Sequence, residues 1–161
     1  MAERPAVNAS PLIFLSKGGL LDLLKLAGEE IIVPEAVAAE IQRRGATDPT
    51  VQALEGTPWL VIVETPPVPA LIQSWDLGPG ESSVLAWAHA HPGTEAIVDD
   101  LAGRRCAAAL GIPVRGTLGL VLTAKRRGVI PAARPVLEKL RQSGMYLSDR
   151  VLNQALALVG E

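Results

Sequence analysis

Short, wholly apolar runs alternate along this chain with longer stretches of helical spacing. Residues 5–8 read as a short strand ending in Asn8, and Ser10 with Pro11 reads as a helix start, with Ser10 at the cap and Pro11 at the first helical position. Leu20, Leu21, Leu23, Leu24 and Leu26 continue an apolar helix to Gly28. Ile31-Ile32-Val33 is a second strand, and Pro34 opens a helix carrying Val37, Ile41, Glu35 and Glu40 that ends near Gly45. Thr47 or Asp48 with Pro49 starts a short helix, Trp59–Val63 is a third strand, and Val68–Trp75 is a further helical piece.

Gly78-Pro79-Gly80 introduces a helix from Glu81 through His89, stopped by Pro92. Ala96-Ile97-Val98 is a fourth strand ending in Asp99-Asp100, followed by a helix over Leu101–Leu110. Ile112-Pro113-Val114 is a last strand, leading through Gly116-Thr117 into a helix over Leu118–Arg127, and two C-terminal helices follow at Ala133–Gln142 and Ser148–Val159. Apolar strands alternating with helices predict a three-layer α/β/α fold with a mostly parallel sheet of four to five strands and extra C-terminal helices. No repeat, linker or low-complexity tract interrupts the pattern, so residues 1–161 read as a single domain.

Composition narrows the function. At 48% hydrophobic content the chain can fill one core, and with only 3% aromatics that core is aliphatic. A net charge of −2 argues against nucleic-acid binding through overall positive charge, but leaves room for local basic patches. The one cysteine, Cys106, lies in an Ala-rich stretch and reads as a small core residue. It permits no disulfide framework, which points to a reduced, cytoplasmic setting. No signal segment opens the chain and no apolar run spans a bilayer, so a soluble protein is expected. Asn8-Ala9-Ser10 matches a glycosylation sequon, but Pro11 follows it and no export signal precedes it.

The candidate chemistry is acidic. Asn8 and the Asp99-Asp100 pair end separate strands, where the carboxyl ends of a parallel sheet gather ligands. Neighbours on a strand point to opposite sides, so one Asp of the pair faces the site while the other can cap the next helix. Glu81 falls at a helix start, where the dipole favours a carboxylate; Glu40 falls late in its helix, where it does not. Arg43 and Arg44 are near enough to pair with Glu40. Acids gathered this closely repel one another unless a hard divalent cation such as Mg²⁺ or Mn²⁺ compensates them. By spacing alone, each acid is equally well read as a cap or a surface group.

Arg104 and Arg105 follow the acidic turn directly and suit substrate phosphates; Arg43-Arg44 and Lys125-Arg126-Arg127 are further candidates for backbone contacts. His89 and His91 lack Cys or carboxylate partners at ligand spacing and read as a surface pair. No serine-nucleophile elbow and no phosphate-cradling loop is present. A phospho-acceptor receiver domain would carry its paired acids at the first strand, not at a late one.

Val7-Asn8-Ala9-Ser10-Pro11-Leu12-Ile13 resembles the opening strand and turn of PIN domains. Residues 33–41 resemble their second strand and acid-bearing helix, Gly78–Ala86 the third acidic helix start, and Ile97–Asp100 with Arg104-Arg105 the fourth acidic turn. Residues 112–119 and the closing 148–161 helix match a prokaryotic subgroup described only as PIN-like, so the resemblance covers essentially the whole chain. It implies a PIN-like fold and a Mg²⁺- or Mn²⁺-dependent endoribonuclease, related to the VapC-type toxins of toxin–antitoxin pairs. Carried over to this chain, Glu40, Glu81 and Asp99 or Asp100 are the metal-site acids, and Asn8 stands where the family pattern has its first Asp. Ser10 is the small hydroxyl that supports the site, and Thr117 lines the same edge.

RNA is the implied substrate, a small antitoxin protein an implied partner, and the aliphatic C-terminal helices with the Trp residues suit a homodimer. The departure at Asn8 matters, because an amide oxygen still ligates a hard cation but attracts it less. The alternative is therefore a catalytically weak or inactive PIN-like module that binds RNA or a protein partner.

Overall fold

A computed structural model describes residues 4–161. Five strands form one sheet in the order β3-β2-β1-β4-β5, every neighbour parallel. They are β1 (Ala6–Val7), β2 (Ile31–Pro34), β3 (Leu60–Val63), β4 (Ala96–Ile97) and β5 (Val114–Arg115). Ala6 pairs with both Ile32 and Ala96, so β1 is the central strand and is fully buried. β2 is buried along its length, which is why Ile31-Ile32-Val33 shows no alternation in sequence. The expected three-layer α/β/α architecture with a parallel sheet is the one observed.

The helices are α1 (Ala9–Lys17), α2 (Glu35–Gln42), α3 (Pro49–Gly56), α4 (Ala70–Gln73), α5 (Pro79–Ala90), α6 (Leu101–Ala109), α7 (Thr117–Arg126), α8 (Arg134–Gln142) and α9 (Asp149–Leu158). Their inward faces bury Leu12, Leu15, Ile41, Leu85, Leu120, Leu137 and Leu140 against the sheet and one another. The core is aliphatic, as the composition requires, and truncating one such leucine to Ala costs about 2–5 kcal/mol. Cys106 is a buried free thiol within it.

Two local readings are corrected. Asn8, not Ser10, occupies the cap of α1, and Ser10 lies inside the first turn. The Asn8 N–H bonds to the Ile97 carbonyl at 3.0 Å, which holds Asn8 extended beside β4 and lets the helix begin at Ala9. Pro11 then sits third in the helix, where its missing N–H is still one of the four that have no partner. The leucine-rich stretch is not a continuation of this helix: Gly18 and Gly19 end α1, Gly19 with φ 68°, and Leu21–Leu26 forms a separate 3₁₀ segment.

Distant residues supply what local sequence lacks elsewhere. Ala133 precedes α8 but has no oxygen to cap it. The Glu161 carboxylate accepts from the Ala133 and Arg134 N–H groups at 2.6 and 3.1 Å, and these bonds hold it below the usual carboxylate range. On edge strand β5, Arg115 donates to Glu95 at 2.8 Å and to the Thr123 hydroxyl at 3.2 Å, tying β5 to α7. No helix among the described residues is long and apolar enough to cross a membrane.

Candidate functional site

The chain leaves β1 for β2 on one side and later returns to build β4 on the other. The crevice beyond the carboxyl ends of β1 and β4 is therefore the topological switch point, where open parallel sheets bind ligands. Asn8 follows β1 and Asp99-Asp100 follow β4, so both reach this crevice from the middle of the sheet.

Asn8 is 8% exposed, its side chain makes no cap bond, and its Oδ1 has no hydrogen-bond partner. A buried amide oxygen left unpaired costs about 1–3 kcal/mol and calls for an explanation. It faces the start of α5: a Cβ placed on Gly80 would lie 3.4 Å from Asn8 Oδ1 and 3.1 Å from Glu40 Oε2. Gly80 is thus the small residue that lets the Glu40 carboxylate and the Asn8 amide oxygen approach α5.

Glu81 follows in the first turn of α5, where the helix dipole favours an anion. Its protonation nevertheless rises, to a pKa of about 7: partial burial is the main cause, followed by the charge and hydrogen bond of Asp100 and then the charge of Glu40. Three carboxylates from α2, α5 and the β4–α6 turn therefore act on one another electrostatically. Asn8, Ser10, Glu40, Arg43, Glu81 and Asp100 all line one cavity of about 390 Å³.

No three His, Cys, Asp or Glu side chains among the described residues stand close enough to form a metal cluster unaided. Glu40, Glu81 and Asp100 instead stand around the open cavity of about 390 Å³. That arrangement fits a hard cation that retains its own waters and takes few protein oxygens. The donors are all oxygen, the repulsion at Glu81 is relieved by added positive charge, and the Asn8 oxygen lacks a partner.

The two aspartates divide. Asp99 accepts from the Thr117 N–H at 2.7 Å and the Thr117 hydroxyl at 2.8 Å, so its two oxygens hold the start of α7. Burial pushes its pKa up, opposed by these bonds and by the Arg104 charge. Asp100 is exposed, caps α6 without a side-chain bond, and lines the acidic cavity.

Thr117 is fully buried beneath Asp99 and lines neither cavity at this edge. Arg104 borders an adjoining cavity, whereas Arg105 is exposed and lines neither. Among the remaining candidates, His91 stacks on Trp87 with centroids 4.0 Å apart and bonds the Trp87 carbonyl through Nδ1, away from the acids.

Gly103 is a site residue that no motif announced. A Cβ there would lie 2.8 Å from Glu81 Cδ and 2.9 Å from Val98 Cγ1. Since Val98 is buried, Gly103→Ala is expected to displace Glu81, at about 1–3 kcal/mol in stability and about tenfold in divalent-cation affinity. Urea unfolding and calorimetric titration check both. Unchanged cation binding would show that the position of Glu81 does not matter.

The family model described as a PIN domain matches residues 5–161. No curated protein and no solved structure matches the chain. PIN domains are generally nucleases that use a divalent metal, and the parallel sheet with acids at its switch point agrees with that assignment. This chain belongs to the PIN-domain family.

Proposed function

We propose that this chain is a Mg²⁺- or Mn²⁺-dependent endoribonuclease, and that it acts in the cytoplasm as the toxin of a toxin–antitoxin pair. One observation carries the nuclease reading: Glu81 is pushed to a pKa of about 7 by partial burial and by Asp100 and Glu40 around a single cavity. Perturbed acids of this kind concentrate at functional sites. The toxin role, the antitoxin partner and the RNA substrate rest on the resemblance to VapC-type proteins. A homodimer is supported by exposed Leu158 on α9 and exposed Trp75.

Glu40, Glu81 and Asp100 are the residues that would hold the cation, with the Asn8 oxygen as a neutral fourth donor. When bound, a hard cation activates water and offsets charge on a phosphate. The protein's own groups do the positioning. Arg43 on the acidic cavity and Arg104 beside it would meet phosphate oxygens, while Arg105, exposed and off both cavities, would serve only a strand that extends beyond them. Ser10 borders both cavities and is placed to donate to the substrate backbone.

Asp99 is assigned as a positioning residue that fixes Thr117, and Asp100 as the ligand of the pair. Asp99→Ala is expected to cost about 2–3 kcal/mol, since it removes an acceptor from a buried N–H and hydroxyl. Asp100→Asn is expected to leave the urea midpoint within about 0.5 kcal/mol of wild type while abolishing cleavage. The reverse pattern would interchange the two roles.

The neutral Asn8 favours a second reading, a PIN module that binds RNA or a protein without cutting. Mn²⁺ titration by calorimetry, run beside cleavage of a structured RNA with and without EDTA, separates the two. Cation binding with EDTA-sensitive cleavage supports the nuclease; neither signal supports the binding module.

A further inference from the structure

Beside the acidic cavity lies a second one of equal size, about 390 Å³, and the two share Ser10 and Asp100. Its character is different. Phe14 from α1, Leu118 from α7, Tyr146 and Leu147 from the loop before α9, and Val151 from α9 line it, with Arg104 as the cation on its wall. Tyr146 is 90% exposed, the most exposed large hydrophobic side chain among the described residues. Its two flanking residues, Met145 and Leu147, are buried, so the backbone that presents the ring is anchored on both sides.

We propose that this groove is a nucleobase subsite, in which Tyr146 stacks on the base next to the phosphodiester held at the acids. This rests on the nuclease or RNA-binding reading of the adjoining cavity and specifies its substrate as a single strand. The groove opens directly from the acidic cavity, so a strand whose phosphate sits there must place its neighbouring base against this wall or turn away from it. An aromatic face with aliphatic flanks suits a base, and one guanidinium suits the phosphate or base edge beside it. Asp99 beside Arg104 is already committed to Thr117 and Asp100 is shared with the acidic cavity, so the guanidinium is the one cation among the residues that line the groove. A paired base keeps its faces stacked within the helix, so only an unpaired nucleotide can enter.

Tyr146 is the only tyrosine in the chain, so a 3-fluorotyrosine label reports on this groove alone. The labelled 161-residue chain is titrated in Ca²⁺ buffer with a mixed-sequence single-stranded octaribonucleotide, with the same length of duplex RNA, and with an abasic ribose-phosphate octamer. The single strand is expected to shift the ¹⁹F resonance, and the duplex and the abasic strand are not. Tyr146→Ala is expected to weaken single-strand affinity about tenfold by fluorescence anisotropy, and Tyr146→Phe to restore it, because stacking needs the ring and not the hydroxyl. The ring is exposed, so neither substitution touches the core.

Binding without a ¹⁹F shift, an equal shift with the abasic strand, or full affinity in Tyr146→Ala would each overturn the subsite. A groove that answers to a protein partner and to no RNA would do the same. The nuclease reading fails separately: wild-type protein that shifts with single-stranded RNA but never cleaves it with Mg²⁺ or Mn²⁺ keeps the subsite and loses the enzyme. Cleavage with an unaltered KM in Tyr146→Ala keeps the enzyme and loses the subsite.

Discussion

Glu81→Gln is expected to abolish metal-dependent RNA cleavage, by roughly a hundredfold or more, and at the same time to stabilise the metal-free protein. Loss of an outer partner of a metal site costs about 10–100-fold, and a ligand at the centre of the cluster costs at least as much. The gain in stability follows from the same geometry. Glu81 titrates near 7 in the fold against 4.5 ordinarily, so the folded protein holds this proton more tightly than the unfolded chain. A raised carboxyl pKa contributes its full stabilisation below pH 4.5 and loses it as the pH climbs through 7.

In EDTA the wild-type protein should therefore weaken steadily between pH 4.5 and 7, and Glu81→Gln should lose that slope. Glu81 is partly solvated, which discounts the effect to about 1 kcal/mol, or about 2–4 °C in Tm at pH 7.5. Thermal melts across that pH range in EDTA, with cleavage assays in Mn²⁺, read both halves. A variant that cuts RNA at the wild-type rate would remove Glu81 from the site. One that melts lower than wild type at pH 7.5 would show that the acids do not repel in the folded protein.

The sheet and its order of helices were legible because most strands are short apolar runs closed by Pro, Gly or an acid, as in Ile31-Ile32-Val33-Pro34. The switch point was legible for a similar reason, since an amide at Asn8 and the acids Asp99-Asp100 ended or followed separate strands. What escaped depends on partners far along the chain. Ser10 with Pro11 is a good local helix start, yet the bond from Asn8 N–H to Ile97 moves the cap two residues back. Leucines 20 to 26 have helical spacing, and Gly18-Gly19 alone did not reveal that they form a 3₁₀ segment. Alternation could say that Asp99 and Asp100 diverge but not which faces the cavity; Thr117, 18 residues on, decides it. Gly103 looks like a weak point in an Ala-rich helix, and only the fold shows that Glu81 lies against it.

Asn8→Asp is the substitution expected to add most. Aspartate has the size of the asparagine it replaces, and the amide oxygen already lies in the crevice with Glu40, unpartnered. The change therefore introduces charge with little change of shape. Divalent-cation affinity is expected to rise about tenfold, because ligand charge tunes hard-cation sites over orders of magnitude. Without metal the same charge is a burden: a fourth carboxylate, buried to 8% exposure beside three others, is expected to lower stability by about 1–3 kcal/mol in EDTA.

Mn²⁺ should more than recover that loss, so the metal-induced rise in Tm becomes larger in the variant than in wild type. The cleavage assay then separates the two functional readings. In a working nuclease that tolerates Asn8, the rate at saturating Mn²⁺ changes little and only the metal concentration needed falls. In a module that binds without cutting, the added acid completes the site and cleavage appears where the wild type has none. If Asn8→Asp alters neither metal affinity nor metal-free stability, the Asn8 oxygen does not belong to the acidic cluster, and the cation site lies elsewhere on the sheet edge.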